Sequence, residues 1–238
     1  MSKPLSSLPP SVEIRLAGWA RIQEGAHHSR EKKFRPTITL SREFGCEGFP
    51  LADRLKELLE KASGEPWNIL DKALLEKVAQ DEGISLRLLQ HLGDTTRLLE
   101  SLGLNASTHV THDKAFEKVA KHILEVAAVG NVIIVGRGGG ILCHPLKNCY
   151  HFRLEASLQW RVQSLAARLA IPEDEARDIV RTNSRQRAKF FSECLGADGA
   201  DLKYYDAKFN NERHSVEAIA DAILAYVKQA WTDKSYFK

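Results

Sequence analysis

Nowhere in these 238 residues does an uninterrupted apolar run approach the ~20 residues needed to cross a bilayer, so no membrane partner is expected. Cysteine is scarce. Cys46, Cys143, Cys149 and Cys194 are scattered, with no C-x-x-C pair among them. That argues against a disulfide framework and gives a zinc site no ligand spacing. His27, His28, His109 and His112 have no third ligand at a plausible interval, so no metal-ligand set is expected. The first ten residues carry one lysine and no apolar core, unlike a secretory signal. The expected compartment is the cytoplasm. A strong charge excess is missing too: 34 basic against 31 acidic residues leave +3, too little to imply nucleic acid. No repeat or low-complexity segment is present. The phosphate-loop signature G-x-x-x-x-G-K-[ST] does not occur either.

What is there suits a globular domain, with 43% apolar and 27% charged residues. The length accommodates one domain and an arm. Residues 1–35 read as that arm and its linker. Ser11 can cap a helix over Val12 to Glu24, Gly25 ends it, and a basic stretch leads on to Arg35. An arm of this kind packs on its own domain or mediates a dimer. Residues 36–238 are the main domain. Its strands are expected at 37–40, 67–70, 131–135, 149–154 and 205–210. Helices alternate with them, near 51–62, 72–82, 85–104, 113–129, 157–169, 172–193 and 215–227. Strand–helix alternation predicts an α/β fold with a mostly parallel sheet and right-handed crossovers. Ligands in such folds sit beyond the carboxyl ends of the strands.

The stretch Thr37 to Ala52 is the clearest candidate for that end of the sheet. A β-branched run gives way to Gly45-Cys46-Glu47-Gly48 and then to an amphipathic helix, the context in which loop N–H groups and a helix N-terminus meet an anion. The letters are poor. Gly48 and Pro50 stand where a lysine and a hydroxyl would fall. Glu43 and Glu47 repel a phosphate unless a cation intervenes, and any tight strand-to-helix turn uses glycine. Arg42 is a candidate replacement for the lysine charge. A second arginine, Arg137, follows the most apolar strand inside Gly136-Arg137-Gly138-Gly139-Gly140, where it is placed to clamp a phosphate. Between Arg177 and Lys189 the only acid is Asp178. Spacings of four put Arg177, Arg181 and Arg185 on one helical face. Charge runs are usually solvated faces, but this stripe lacks local partners, and Arg181, Arg185 and Arg187 suit a basic lid over transferring phosphates. Asp71, just after a strand, reads as a substrate ligand or as a helix N-cap.

Taken together, Ile38-Thr39-Leu40-Ser41-Arg42-Glu43-Phe44-Gly45, Ile134-Val135-Gly136-Arg137-Gly138-Gly139, the Arg181–Phe191 segment and Tyr205-Asp206 with Asn210 resemble the cytidylate kinase-like family, a divergent branch of P-loop nucleoside monophosphate kinases. The resemblance covers most of residues 36 to 229. It implies a three-layer P-loop NTPase fold with a parallel five-stranded core, ATP as donor, Mg²⁺, and CMP or dCMP as acceptor. By the same resemblance Asp71, Lys77, Arg137 and Asp206 would bind the acceptor. Gly45, Cys46, Glu47 and Gly48 would cradle the donor, and Arg42, Arg137, Arg181, Arg185 and Arg187 would serve the transfer. The sequence departs from the family in lacking the Walker lysine, in having Gly45-Cys46-Glu47-Gly48 where Gly-Ser-Gly-Gly is common, and in Gly138 where an acid follows the arginine. The expected activity is thus ATP-dependent phosphorylation of a nucleoside monophosphate. A non-catalytic nucleotide-binding or regulatory module is the alternative, and a kinase of another small metabolite a weaker one.

Overall fold

Thr37 to Leu40 is buried on both sides because the strand lies in the middle of a sheet with helices on both faces. The computed structural model describes residues 35–71 and 114–237. The expected arm helix, the helices over 72–82 and 85–104, Lys77, His109 and His112 lie outside the described residues. The elements in chain order are β1 (Thr37–Arg42), α1 (Gly48–Ser63), β2 (Asn68–Leu70), α2 (Lys114–Val129), β3 (Val132–Val135), a one-turn α3 (Gly139–Leu142), β4 (Cys149–Glu155), α4 (Leu158–Leu169), α5 (Glu173–Leu195), a 3-10 turn (Leu202–Tyr204), β5 (Ala207–Asn210) and α6 (Val216–Ala230).

The five strands run in the order β2-β3-β1-β4-β5. Every pairing is parallel, with Thr37 opposite both Val132 and Cys149, and Phe152 opposite Ala207. The sheet is therefore wholly parallel among the described strands, not merely mostly so. Alternation along β1 splits its side chains. Ile38 and Leu40 join Leu51, Leu55 and Leu59 of α1 and Ile219, Ile223 and Val227 of α6 in one core layer. On the opposite face Val132 and Ile134 pack with Ile123 and Ala127 of α2. These layers make the three-layer architecture of a P-loop NTPase. No helix of the described residues is long and apolar enough to cross a membrane.

Two helices stand apart from the layers. α4 and α5 form a hairpin with a small core of its own, Val162, Leu165, Ala166, Ala176 and Val180. Ser157 caps α4 by accepting from Trp160 N, and Glu173, Asp174 and Glu175 occupy the first turn of α5, where the helix dipole favours acids. Phe44, from the loop after β1, packs against this small core. The hairpin is thus seated directly over the carboxyl end of the central strand.

Candidate active site

The centre of the site is Arg42, the last residue of β1. Its side chain runs across the start of α1 to the end of β3. Two glycines make room for it: a Cβ on Gly48 would lie 3.0 Å from Arg42 Cδ, and one on Gly136 would lie 2.0 Å from Arg42 Nη1. The side chain that Gly48 lacks would occupy the space that Arg42 fills. Gly136 also has φ of 80°, a left-handed conformation that glycine adopts without strain.

Arg187 of α5 meets Arg42 from above. Its Nη1 donates to the Arg42 carbonyl at 2.8 Å, and its guanidinium lies 5.0 Å from the centre of the Phe44 ring. Burial lowers the Arg42 pKa to about 10; the Asp71 carboxylate opposes the drop, and Arg137 adds to it. Burial lowers Arg187 further, to about 9, with the Arg42 charge as the next cause. Among the described residues neither guanidinium has an ion pair with a carboxylate within 4 Å. Two like charges held together in a poorly solvated place would be relieved by an anion between them.

Two cavities share this pair. The larger, about 600 Å³, opens towards β4 and the α5–β5 connection, with Glu43, Arg153, Arg161 and Asp198 among its lining. The smaller, about 330 Å³, lies over the end of β3, where Val135, Gly136, Arg137 and Gly138 form its floor. Arg42, Phe44, Arg187 and Phe191 line both. Arg137 has φ of 52°, which turns its side chain towards α5, 5.9 Å from the centre of the Phe190 ring. Its pKa is lowered by burial, with Cys194 acting in the opposite sense.

Arginines also hold the loop that follows β1. Arg161 Nη1 donates to Phe44 O at 3.2 Å, and Arg168 Nη2 donates to Gly45 O. With Arg187 on Arg42 O, three guanidinium groups fasten three carbonyls of one turn. Gly45 itself, at φ 103°, leaves no room for a side chain, because a Cβ would lie 2.6 Å from the Cβ of Arg161. Arg153, in β4, donates to Ser41 Oγ at 3.1 Å and to Gly199 O at 2.8 Å, tying the connection that follows α5 to β1. Arg153, Arg161, Arg168 and Phe44 were not among the sequence candidates. Arg153 had a visible signal, a charge inside an otherwise apolar strand. Arg161 and Arg168 stand seven apart on one helical face.

The remaining sequence candidates fall in several places. Asp71 directly follows β2, near enough for its charge to reach Arg42. Arg181 and Arg185 are exposed and line neither cavity. The inward arginine of that stretch is Arg187, because residues two apart on a helix point to nearly opposite sides. Asp206 is also absent from both cavities. Its carboxylate accepts from His151 N at 2.6 Å and from Tyr226 OH at 3.2 Å, which spends it at the start of β5, away from the strand ends.

Gly45, Cys46, Glu47 and Gly48 line neither cavity. Three of their N–H groups are already engaged: Cys46 N to Glu43 O at 3.3 Å, Glu47 N to Asn211 Oδ1 at 2.8 Å, and Gly48 N to Cys46 O at 3.0 Å. The Cys46 thiol packs into the core beside α1, and burial, followed by Glu43, pushes its pKa up to about 12.

The model of the cytidylate kinase-like family matches residues 37–213. The chain belongs to the cytidylate kinase-like family. A cytidylate kinase from Sulfolobus acidocaldarius is 33% identical over 99 residues, which cover 42% of this chain and 54% of that enzyme. The match spans about half the length of that relative. A cytidylate kinase from Pyrococcus horikoshii is 24% identical over 155 residues, 65% of this chain and 71% of that one. Among solved structures, an uncharacterized protein from Eubacterium ventriosum superimposes with a TM-score of 0.62 at 18% identity, covering 82% of this family member and 99% of that chain, which speaks to the fold alone.

Proposed function

We propose that this family member transfers a phosphoryl group from ATP to a nucleoside monophosphate, CMP or dCMP by the likeness of its relatives. The observation that carries the reading is the shared wall: Arg42 and Arg187 border both cavities. A donor polyphosphate in the larger cavity and an acceptor phosphate in the smaller would meet at these two guanidinium groups. Phosphoryl transfer asks for positioning and charge neutralisation more than for a covalent nucleophile. Arg42 and Arg187, held in place before any ligand arrives, supply charge where it develops. Arg137 would hold the acceptor phosphate, and Asp71 and Lys77 would complete the acceptor side. The α4–α5 hairpin excludes water over the transferring group. Arg181 and Arg185 stay in this reading as a basic outer face that attracts the nucleotide.

Mg²⁺ would reach such a site with the nucleotide. No group of three or more His, Cys, Asp and Glu side chains able to hold a metal occurs among the described residues. Glu43 and Asp198 on the cavity wall suit an ion bound mainly by phosphates and water. When bound, Mg²⁺ supplies further neutralisation of the phosphate oxygens.

The spent amides of residues 46–48 favour a second reading, a nucleotide-binding module without transfer. A bisubstrate ligand, adenosine and cytidine joined through a polyphosphate, separates the two. Adjoining donor and acceptor cavities predict that it binds at least about 100-fold more tightly than ATP or CMP alone, as linkage turns the second contact into an intramolecular one. Affinity no better than that of ATP would remove the two-cavity reading.

A further inference from the structure

Asn211 follows β5, is 2% exposed, and is fixed by its own N–H, which donates to Glu155 O at 2.9 Å. Its side chain makes a reciprocal pair with the phosphate loop. Asn211 Oδ1 accepts from Glu47 N at 2.8 Å, and Asn211 Nδ2 donates to Glu47 Oε2 at 3.1 Å. Glu47 is the residue that precedes the first turn of α1, and its side chain makes no capping bond of its own. A carboxylate there is drawn to the positive end of the helix. The loop thus carries an internal anion and has its central N–H bound to a side-chain carbonyl, while its neighbours Cys46 N and Gly48 N are bound within the loop.

We propose that Asn211 and Glu47 form a latch that holds the loop in a resting, anion-excluding form. A ligand bearing a pyrophosphate group binds there by replacing the Asn211 carbonyl at the Glu47 N–H. Asn211 is a positioning residue in this scheme and acts through Glu47. The latch rests on the reading of residues 45–48 as the donor-phosphate loop. It also accounts for the separation of those residues from both cavities: the arginines meet the ligand first, and the loop joins after Asn211 lets go. The exchange trades one hydrogen bond for another and gives up the second bond of the pair. A net bond of ordinary strength makes that an affinity penalty of about two- to tenfold.

The test is calorimetric titration of the full chain with inorganic pyrophosphate and with MgATP, alongside hydrogen exchange at the Glu47 amide. N211A removes both bonds of the latch. It should bind pyrophosphate about two- to tenfold more tightly than wild type and exchange the Glu47 amide faster before ligand is added. E47Q keeps an oxygen acceptor for Asn211 Nδ2 and removes only the charge, so its amide should stay protected. Pyrophosphate binding by N211A that is equal to or weaker than wild type, or absent in both, overturns the latch. Should N211A fail to fold, E47A deletes the side-chain half of the pair and leaves Asn211 anchored to β4. Its predicted change has the same direction, and no tightening overturns the proposal. Tighter binding without phosphorylation of any nucleoside monophosphate would discard the kinase reading and keep the latch. Turnover without tighter binding would do the reverse.

Discussion

Replacing Arg187 by methionine removes a charge that the fold holds at a cost. Burial, and then the Arg42 charge, bring its pKa from the ordinary arginine range down to about 9, so the fold disfavours the guanidinium cation. At about 1.36 kcal/mol for each tenfold change, the full figure is roughly 5 kcal/mol. Two terms reduce it. Arg187 keeps partial contact with solvent through the cavities, and the variant loses the bond to the Arg42 carbonyl, worth about 1.5–3 kcal/mol for a charged donor. Methionine keeps much of the packing on Phe44. The expected net gain is about 1–2 kcal/mol, or about 2–8 °C in melting temperature for a chain of this size. The same substitution should weaken pyrophosphate and ATP, because the anion loses one of its two central cations. Thermal melts with and without pyrophosphate measure both effects: R187M should melt higher than wild type when empty and gain less on adding the anion. A variant that melts lower when empty, or gains as much from pyrophosphate as wild type does, would refute the view of Arg187 as a strained anion receptor.

Two further outcomes follow from the same geometry. Gly136→Ala puts a methyl group 2.0 Å from Arg42 Nη1 and forces alanine into φ of 80°. It should cost about 1–2 kcal/mol in stability and displace the guanidinium; ATP titration of the folded variant, showing affinity lost beyond the stability change, is the check. Anion binding should also depend on alkaline pH. Arg187 and Arg42 are cationic below their folded pKa values, so pyrophosphate affinity is full only well below 9 and falls as pH rises through 9 to 10. Both values are depressed, so over that range the unfolded chain binds more protons than the folded one; the two arginines therefore oppose folding at neutral pH, and this cost fades as pH rises. Titration across that range shows the loss, and R187M should lack its earlier step.

Much of the architecture was legible because pattern and topology agree. Thr37 to Leu40 read as a β-branched run and Val132 to Val135 as a continuous apolar one, since helices cover both faces of a parallel sheet. Pro172 and the three acids after it marked the start of α5 correctly within a residue. The one-turn α3 was hidden because Gly138-Gly139-Gly140 reads as a turn by composition. The sheet proved wholly parallel among the described strands.

The site was less legible, and the reasons are geometric. A spacing of four made Arg177, Arg181 and Arg185 look like the working face of α5. Residue 187 stands about 200° around the helix from 185, and it is the one seated on Phe44. Which face turns inward depends on where the hairpin rests, and that is a tertiary fact. Arg42 was visible as a spare charge, but its role as occupant of the space over Gly48 needed the approach of Gly136 from another strand. Asn211 lies 164 positions from Glu47, and no local signal joins two residues so far apart. Asp206 carried a motif position and nevertheless serves the β4–β5 edge.

The central claim is that Arg42 and Arg187 stabilise a phosphoryl group passing between two bound nucleotides. Its most direct test is the formation of ADP and CDP from ATP, Mg²⁺ and CMP, followed by chromatography for wild type and for the R42M/R187M double variant. Wild type should turn over at about 1–100 s⁻¹, and the double variant at least about 10³-fold more slowly, the scale of a lost transition-state arginine. Product no faster than background from a wild-type protein that binds ATP, or equal rates from both proteins, would contradict the account.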